Sequence, residues 1–300
     1  MWIGRRRWWR AILLAVVAVP VVVLAASWVI VRVYGPQFTR ERVEALLSTA
    51  LGQPARVGAV RLTPWRGRVS LIDLEVSGSP PEPLRARASA IDIDLDIASL
   101  WRREITISAV ATDLHLDMTV PETETSGPGI FPVPRYFEVG PLRVGIGSVR
   151  WKGGNATIRE PKSKLAVEVT GADITASPVE GDLDVSGRID ALRLDALGRR
   201  VQVDKVVIDG RLSADLIAVR RVDWRWQGEA MQVSGELRHP WASSVELSLR
   251  AKGDIALGAF AKTIGLDDRL DGKAHLAAEL MGSAAAPAIS WRAQVPELRV

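Results

Sequence analysis

The chain of 300 residues contains no cysteine, so disulfide frameworks, thiolate nucleophiles and cysteine-based metal sites are excluded. Histidine is nearly as scarce, since the chain has only His115, His239 and His275. These three residues are scattered and do not show the spacing of zinc ligands. We therefore predict that the protein binds no metal and no cofactor.

The sequence also lacks the motifs of common enzyme classes. Arg150 stands where a dinucleotide-binding loop that began at Gly145 would need glycine, and no Gly-x-Ser-x-Gly elbow is present. Three alternating aspartates begin at Asp92, but Ile97 occupies the position of the turn glycine of a calcium loop. These aspartates fit the polar side of a β-strand. We predict no catalytic residues and no enzymatic activity.

Most of the chain lacks a net charge. Of the 39 Lys and Arg residues, four are Arg5, Arg6, Arg7 and Arg10, which leaves 35 against 35 Asp and Glu. An extended basic surface that could bind a phosphate backbone is not expected. Nucleic acid is therefore excluded as a partner, and the high isoelectric point of about 9.7 reflects the N-terminus.

One long hydrophobic run follows these arginines, because residues 11 to 31 contain no charged side chain. A helix needs about 20 apolar residues to cross the hydrocarbon core of a bilayer. We predict a transmembrane helix at residues 11–33, preceded by a basic cytoplasmic tail at residues 1–10. The four arginines direct the rest of the chain outward by the positive-inside rule. The alternative is a cleaved secretory signal, which has a shorter apolar core.

A short amphipathic helix is predicted in residues 34–53, where Thr39 is a suitable N-cap and Gly52 a suitable C-terminal residue. Its apolar side chains recur at helical spacing: Val43, Leu46, Leu47 and Ala50. This helix either lies on the membrane surface or closes one end of the fold that follows. Its balanced charges attract anionic lipid weakly, which favours the second interpretation.

From Pro54 onward the apolar residues recur with a period of two, in runs separated by turn residues about every 10 to 15 positions. We therefore predict a mainly β protein built from antiparallel strands. An N-terminal β unit covers residues 54–120, and a repeated β segment covers residues 142–300. The proline-rich residues 121–141 show no periodicity and are predicted to be a linker or a loop.

Long alternating strands need a cover for their apolar face, and this chain offers few helices. The sheet must either close on itself as a sandwich or barrel with a dry core, or remain an open, U-shaped groove. In the groove, the apolar lining would be available to a ligand. The predicted lining consists of alternate strand residues: Ile91, Ile93, Leu95, Ile97, Leu114, Leu116, Met118, Leu165, Val167, Val169, Val245, Leu247 and Leu249.

Three segments carry a family resemblance. Residues 46–78 read LLSTALGQPARVGAVRLTPWRGRVSLIDLEVSG, and residues 85–118 continue with further alternating strands. In residues 270–295, LDGKAHLAAELMGSAAAPAISWRAQV, a Leu-x-Gly is followed by Gly-Ser, small residues, a proline and another strand. In this order, and after a membrane anchor, the segments resemble AsmA/TamB-like envelope proteins of the bridge-like lipid transfer superfamily.

The resemblance implies a single-pass inner-membrane protein with a cytoplasmic N-terminus and a long β-groove in the periplasm. It implies a role in cell-envelope biogenesis, by conduction of phospholipid between the inner and outer membranes. The alternative is a scaffold for translocation and assembly of outer-membrane or secreted proteins. Phospholipid, the membrane and an outer-membrane assembly protein are the implied partners. Because such proteins are longer, we expect this chain to be an N-terminal fragment or a short member.

Overall fold

A computed structural model describes most of the chain beyond residue 39. The described residues are 40–51, 53–63, 66–77, 84–96, 104–119, 136–139, 142–160, 165–196, 199–240, 245–258, 271–283 and 286–299. The predicted cytoplasmic tail and transmembrane helix, with Arg5, Arg6, Arg7 and Arg10, lie outside these residues. Within them, none of the helices has the length and hydrophobicity needed to cross a membrane.

The short helix predicted in residues 34–53 is confirmed as α1 (Arg40–Leu51). It packs next to the first strand, β1 (Ala55–Thr63), with Val43 and Leu47 only 1% exposed. These two residues are four apart and therefore lie on the same side of the helix. Burial of this apolar side fixes α1 against the sheet.

Helix α1 also covers the free edge of β1. The Oε1 atom of Glu44 accepts a hydrogen bond from the Val57 N–H at 2.8 Å, and Ser48 Oγ accepts one from the Ala55 N–H at 2.9 Å. Strand β1 stands first in the strand order, so it has a partner strand on one side only. The two side chains thus satisfy edge donors that would otherwise be open to pairing with another chain.

The prediction of a mainly β fold is confirmed, because the fifteen described strands form a single sheet. The strands after β1 are β2 (Arg68–Ser77), β3 (Leu84–Leu95), β4 (Glu104–Thr112), β5 (His115–Thr119), β6 (Tyr136–Val139), β7 (Leu142–Glu160), β8 (Leu165–Val179), β9 (Asp182–Ala196), β10 (Arg199–Leu212), β11 (Leu216–Trp226), β12 (Glu229–Arg238), β13 (Glu246–Ala256), β14 (Asp271–Ser283) and β15 (Ala288–Arg299). Their spatial order is β1-β2-β3-β4-β7-β8 and onward in sequence to β15, while β5 extends the line of β4 between β3 and β7.

One connection departs from the expected antiparallel pattern. Strands β4 and β5 pair with β7 in parallel, whereas the other described pairings are antiparallel. The chain must therefore return from the end of β5 to the end at which β4 began. Strand β6 lies on this return, inside the predicted linker at residues 121–141, and pairs with the start of β7. Strand β6 has four residues and lies between Pro134 and Pro141. Four residues are too few to show an alternation pattern, so the sequence did not indicate this strand.

The two faces of the sheet differ in chemistry. One face carries a continuous cluster of buried apolar side chains that extends from α1 to β10. The opposite face carries ion pairs between neighbouring strands, among them Arg68–Asp94 at 2.6 Å and Arg150–Asp173 at 2.8 Å. We call these the apolar face and the polar face. The nearly equal numbers of cationic and anionic residues beyond the N-terminus allow these side chains to pair on the polar face.

A line of backbone irregularities crosses β2 to β10, roughly in the middle of each strand. Its members lie opposite one another in the register of neighbouring strands, and most have a positive φ angle or lie at a register shift. We call this feature the bulge line, and its residues are Asp73, Ser89, Asp113, Gly153, Gly171, Asp190 and Lys205.

Backbone and side-chain hydrogen bonds next to the bulge line replace the regular ladder bonds that it interrupts. The Leu114 carbonyl accepts from the Asn155 N–H at 2.9 Å and from Trp151 Nε1 at 3.2 Å. The Gly171 N–H donates to Asn155 Oδ1 at 3.0 Å. The polar backbone groups at the bulges therefore keep hydrogen-bond partners. Bulges bend a strand and increase its twist.

The bulges also shift the alternation of buried residues. A strict alternation in the sequence would put Ile72, Leu74 and Val76 on one apolar face, but only Leu74 and Val76 are buried there, at 1% and 2% exposure. Before the bulge at Asp73 the buried position is Leu71, and Ile72 is half-buried. The positive φ of 52° at Asp73 is the physical reason, because it inserts an extra outward-facing position.

Candidate apolar binding face

The predicted lining residues differ strongly in exposure. Ile97 lies outside the described residues. Five of the others are 8% exposed or less: Ile91, Ile93, Leu114, Leu116 and Val167. The remaining seven are half-buried: Leu95, Met118, Leu165, Val169, Val245, Leu247 and Leu249. The structure therefore divides the predicted lining into a closed part and a partly open part.

The closed residues belong to α1 and β1 to β10, which we call the N-terminal section, and this section also contains four half-buried lining residues: Leu95, Met118, Leu165 and Val169. Val57, Ala88 and Ile93 have no exposed surface, and Leu74 is 1% exposed. Side chains of neighbouring strands fill the space over this face, so the packing resembles an ordinary protein core. A ligand the width of an acyl chain could bind there only if core side chains moved apart.

The open part belongs to β12 to β15, which we call the C-terminal section. Cross-strand pairing places its apolar side chains in four rows that run across the strands. The rows are Leu237, Leu247 and Gly282; Gly235, Leu249, Leu280 and Ile289; Val233, Ala251, Ala278 and Trp291; and Met231, Gly253, Leu276 and Ala293. Every member of these rows is half-buried or exposed, and the indole N–H of Trp291 is their one hydrogen-bonding side-chain group.

The backbone beneath the four rows is already paired. Strands β12, β13 and β14 each have antiparallel neighbours on both sides. The exposed surface therefore offers apolar side chains and almost no free hydrogen-bonding groups. Such a surface suits a ligand that itself has no donors or acceptors, because a polar ligand would lose its hydrogen bonds to water without replacement.

Most charges in the C-terminal section lie on the polar face, whereas strand alternation puts Glu229 on the side of Met231 and Val233. Lys273 Nζ is 2.8 Å from Glu229 Oε1, and this contact raises the pKa of the Lys273 ammonium. His275 Nδ1 is paired with Asp254 Oδ1 on the same face. Among the residues that the structure describes, no group of three His, Asp or Glu side chains is arranged to hold a metal ion. The two faces of this section thus keep most of the charge apart from the apolar surface.

Several face residues were not included in the predicted lining. Trp224, Val233, Leu276 and Leu280 lie on the apolar face together with Leu249. The alternating runs around Trp224 and Val233 are visible in the sequence and could have located both residues. Leu276 and Leu280 were harder to find, because alanine occupies the polar-face position 277 and weakens the alternation.

The last strand differs from the first in how its edge is covered. Among the described residues, β15 pairs with β14 alone, and no helix side chains are placed against its other edge. Ile289 and Trp291 on this strand are 66% and 70% exposed, whereas α1 covers β1 at the opposite edge of the sheet.

No protein-family model matches this chain, and a search of the curated proteins finds no match. Functional inference therefore depends on the residues and the geometry described above.

Proposed function

We propose that this chain is an AsmA/TamB-like, membrane-anchored β-groove protein that binds the acyl chains of phospholipid on its apolar face. In this proposal the anchor holds the N-terminus at the inner membrane, and the sheet extends into the periplasm. The protein would conduct phospholipid between the inner and outer membranes as part of envelope biogenesis. Its partners would be phospholipid and the membrane.

The observation that carries the proposal is the set of four apolar rows in the C-terminal section. An acyl chain needs no hydrogen bonds, and each methylene that leaves water contributes about 0.8 kcal/mol. A peptide laid on the same rows would desolvate its amides, since β12, β13 and β14 have no open edge to pair with it. The surface chemistry therefore favours lipid over an extended peptide.

The bulge line supports the groove shape. Bulges bend the strands that carry them, and a sheet in which each strand bends at its middle curves about an axis perpendicular to the strands. The apolar face of β2 to β10 is the buried face, so it lies on the inside of this curvature in our proposal. A sheet curved in this way would have a trough-shaped apolar side, which its own side chains fill along β2 to β10.

The edge of β15 favours a second candidate function. An edge strand with exposed Ile289 and Trp291 could accept a strand from another protein, by the addition mode that many β proteins use. In this alternative the chain is a scaffold that assists assembly of outer-membrane or secreted proteins through an outer-membrane partner. The four rows would then be incidental to function.

A charge placed within the rows distinguishes these functions. Leu249→Asp puts a carboxylate on the half-buried apolar face, whereas Ser248→Asp puts the same group on the exposed polar face of the same strand. We expect phospholipid that purifies with the full chain to decrease in Leu249→Asp and to stay unchanged in Ser248→Asp. Circular dichroism establishes that both variants fold. Equal lipid content in the two folded variants would contradict the lipid function, and loss of partner binding alone would favour the scaffold.

A further inference from the structure

We infer that the polar face of β13 to β15 carries a binding site for a phosphate group, formed by Lys252 and Arg292 on either side of Ala277. This site lies on the side of the sheet opposite to the four apolar rows. It therefore goes beyond the proposed acyl-chain function and does not depend on it. The phosphate can belong to a soluble compound or to a lipid headgroup, because both present the same charged oxygens.

Charged residues on the polar face often stand directly opposite a residue of the other sign. Opposite charges in such cross-strand positions stabilise a sheet. Six pairs that are opposite in register are also ion pairs: Arg68–Asp94, Arg87–Glu75, Arg193–Glu168, Arg200–Asp195, Arg211–Asp184 and Arg250–Glu279. Most cations of this face are thus already neutralised by a neighbouring strand.

One row on this face breaks the pattern. Lys252 stands opposite Gln232 on β12 and opposite Ala277 on β14. On its other side, Ala277 stands opposite Arg292 on β15. Both cations are exposed, and within the part of the chain that the structure describes neither of them forms an ion pair. The row therefore presents two uncompensated positive charges with a small side chain between them.

The alanine leaves room for a ligand between the two cations. Neighbouring strands are about 4.8 Å apart, so the Cα atoms of Lys252 and Arg292 are roughly 10 Å apart. Their long side chains can reach an anion that lies over the exposed Ala277 methyl group. A cleft of about 570 Å³ is present at this position, and the hydroxyl-bearing residues Ser234 and Ser290 also line it. The cleft thus offers space, positive charge and hydrogen-bond donors together.

The charges of this cleft indicate the class of ligand. Its charged lining residues are Arg220, Arg250, Lys252, Arg292 and Glu279. Arg220 and Arg250 are bonded to carboxylates, and Asp254, on the same face as Lys252, is bonded to His275. Lys252 and Arg292 remain for a ligand. A guanidinium binds two phosphate oxygens at once and an ammonium adds a compact charge, so a phosphate group matches this pair.

Protection of the sheet edge does not explain the whole row. Charged side chains on an edge strand deter pairing with another chain, and Arg292 on β15 fits that role. Lys252 does not, because β13 lies two strands inside the edge and has paired neighbours on both sides. The two cations also repel each other across Ala277, at a distance where salt screens the repulsion only in part. A bound anion removes this repulsion.

A thiol at the centre of the site reports its occupancy, because the natural chain has no cysteine. Ala277→Cys places the thiol between Lys252 and Arg292, where both cations favour the reactive thiolate. Met281→Cys is the matched control, exposed on the same face of β14. Full chains in a neutral detergent are reacted with iodoacetamide while inorganic phosphate or phosphatidylglycerol is added, with sodium chloride at equal ionic strength as reference. Ser290→Cys, in the same cleft, replaces Ala277→Cys if that variant does not fold.

We expect inorganic phosphate to slow the reaction at position 277 by about threefold or more relative to chloride, because the bound anion cancels the charge that favours the thiolate. The reaction at position 281 should not change. Adding Lys252→Gln and Arg292→Gln to the Ala277→Cys chain should remove the effect of phosphate.

The two probes distinguish the sources of the phosphate. Slowing by inorganic phosphate alone supports a site for a soluble compound, slowing by phosphatidylglycerol alone supports a site for a lipid headgroup, and slowing by both supports a site that accepts either. No slowing by either probe would overturn the inference. Equal slowing at position 281, or slowing that persists in the glutamine variants, would overturn it as well. None of these results affects the acyl-chain function, which is tested separately at Leu249.

Discussion

The N-terminal and C-terminal sections have the same alternation of apolar and polar residues and the same division into two faces, and their strands are antiparallel except where β4 and β5 pair with β7. The bulge line crosses the first section, whereas in the second the β12–β13 and β13–β14 pairings are regular and β14 shifts its register against β15 between Lys273 and His275. Leu74 in the first section is 1% exposed, while Leu249 in the second is half-buried. The two sections thus share a sequence pattern but differ in the exposure of their apolar face, and the bulge line accompanies the more buried one.

The largest expected difference between the sections is the cost of removing a leucine. Leu74→Ala should lower the free energy of unfolding by about 3 to 5 kcal/mol, because it leaves a cavity in a filled core. The matched variant Leu249→Ala should cost about 1 kcal/mol, since water already reaches this half-buried position. Urea unfolding followed by circular dichroism measures both. Equal costs would show that the C-terminal face is a dry core like the N-terminal one.

Replacing a glycine on the bulge line should lower the free energy of unfolding more than replacing a glycine of similar backbone conformation elsewhere. Gly171 and Gly228 both have positive φ angles, of 66° and 88°, but a Cβ atom meets Asp190 at Gly171 and open space at Gly228. We expect Gly171→Ala to cost about 3 kcal/mol and Gly228→Ala about 1 kcal/mol, the latter from backbone strain alone. Thermal unfolding of the two variants provides the comparison. Addition of Asp190→Ala should recover part of the loss at Gly171, and no recovery would show that the contact across the line is unimportant.

The hydrogen bond by which Glu44 of α1 protects the edge of β1 should weaken in acid. Hydrogen bonds from the Val57 N–H and from the Arg40 guanidinium hold the pKa of Glu44 below its usual range. Its contribution to stability is therefore fully present above the usual glutamate pKa, and it is lost as the pH falls through the depressed value. At neutral pH, Glu44→Ala should cost about 1 to 2 kcal/mol.

Amide hydrogen exchange at Val57 is the measurement for this prediction. Exchange should accelerate in Glu44→Ala at neutral pH, and in the natural chain only in acid. Glu41→Ala removes the same charge from an exposed position of α1 and should leave exchange at Val57 unchanged. A similar acceleration in both variants would mean that net charge, and not the edge contact, protects β1.

The smallest effect is expected from the ion pairs of the polar face. A hydrogen bond from the Arg150 guanidinium lowers the pKa of the Asp173 carboxyl, so this pair stabilises the fold above the usual aspartate range and loses its effect in acid. Asp173→Asn should nevertheless cost less than about 1 kcal/mol, because the pair is partly exposed to water and screened by salt. Unfolding at low and high salt measures this cost. A larger cost that persists at high salt would show that the polar face contributes to closure of the N-terminal section.

The predictable part of the fold was the part that depends on periodicity. Alternation in residues 84–95 located β3 and its buried Ile91 and Ile93, and helical spacing located α1. The bulge line was not predicted, because a positive φ angle at a single position, as at Asp73, Asp113 or Lys205, interrupts the alternation without changing its period on either side.

Ligand binding at the candidate site stays a prediction, and only the exposure of its residues can be compared with the sequence. Alternation identified one apolar face, and the residue type of Leu249 is the same as that of Leu116. Their different exposure depends on which side chains of neighbouring strands pack over each position, and sequence spacing does not encode this packing. The prediction therefore treated the whole lining alike, whereas the structure buries five of its members and leaves the other described ones half-buried.

Photo-crosslinking from the centre of the four rows tests the central claim most directly. The photoreactive residue p-benzoylphenylalanine is introduced at Leu249, on the half-buried apolar face, or at Ser248, on the exposed polar face of the same strand. Full chains are irradiated in living cells, and adducts are identified by mass spectrometry. We expect a phospholipid adduct at position 249 and none at position 248. Absence of lipid at position 249, or equal adducts at both positions, would contradict an apolar face that binds acyl chains.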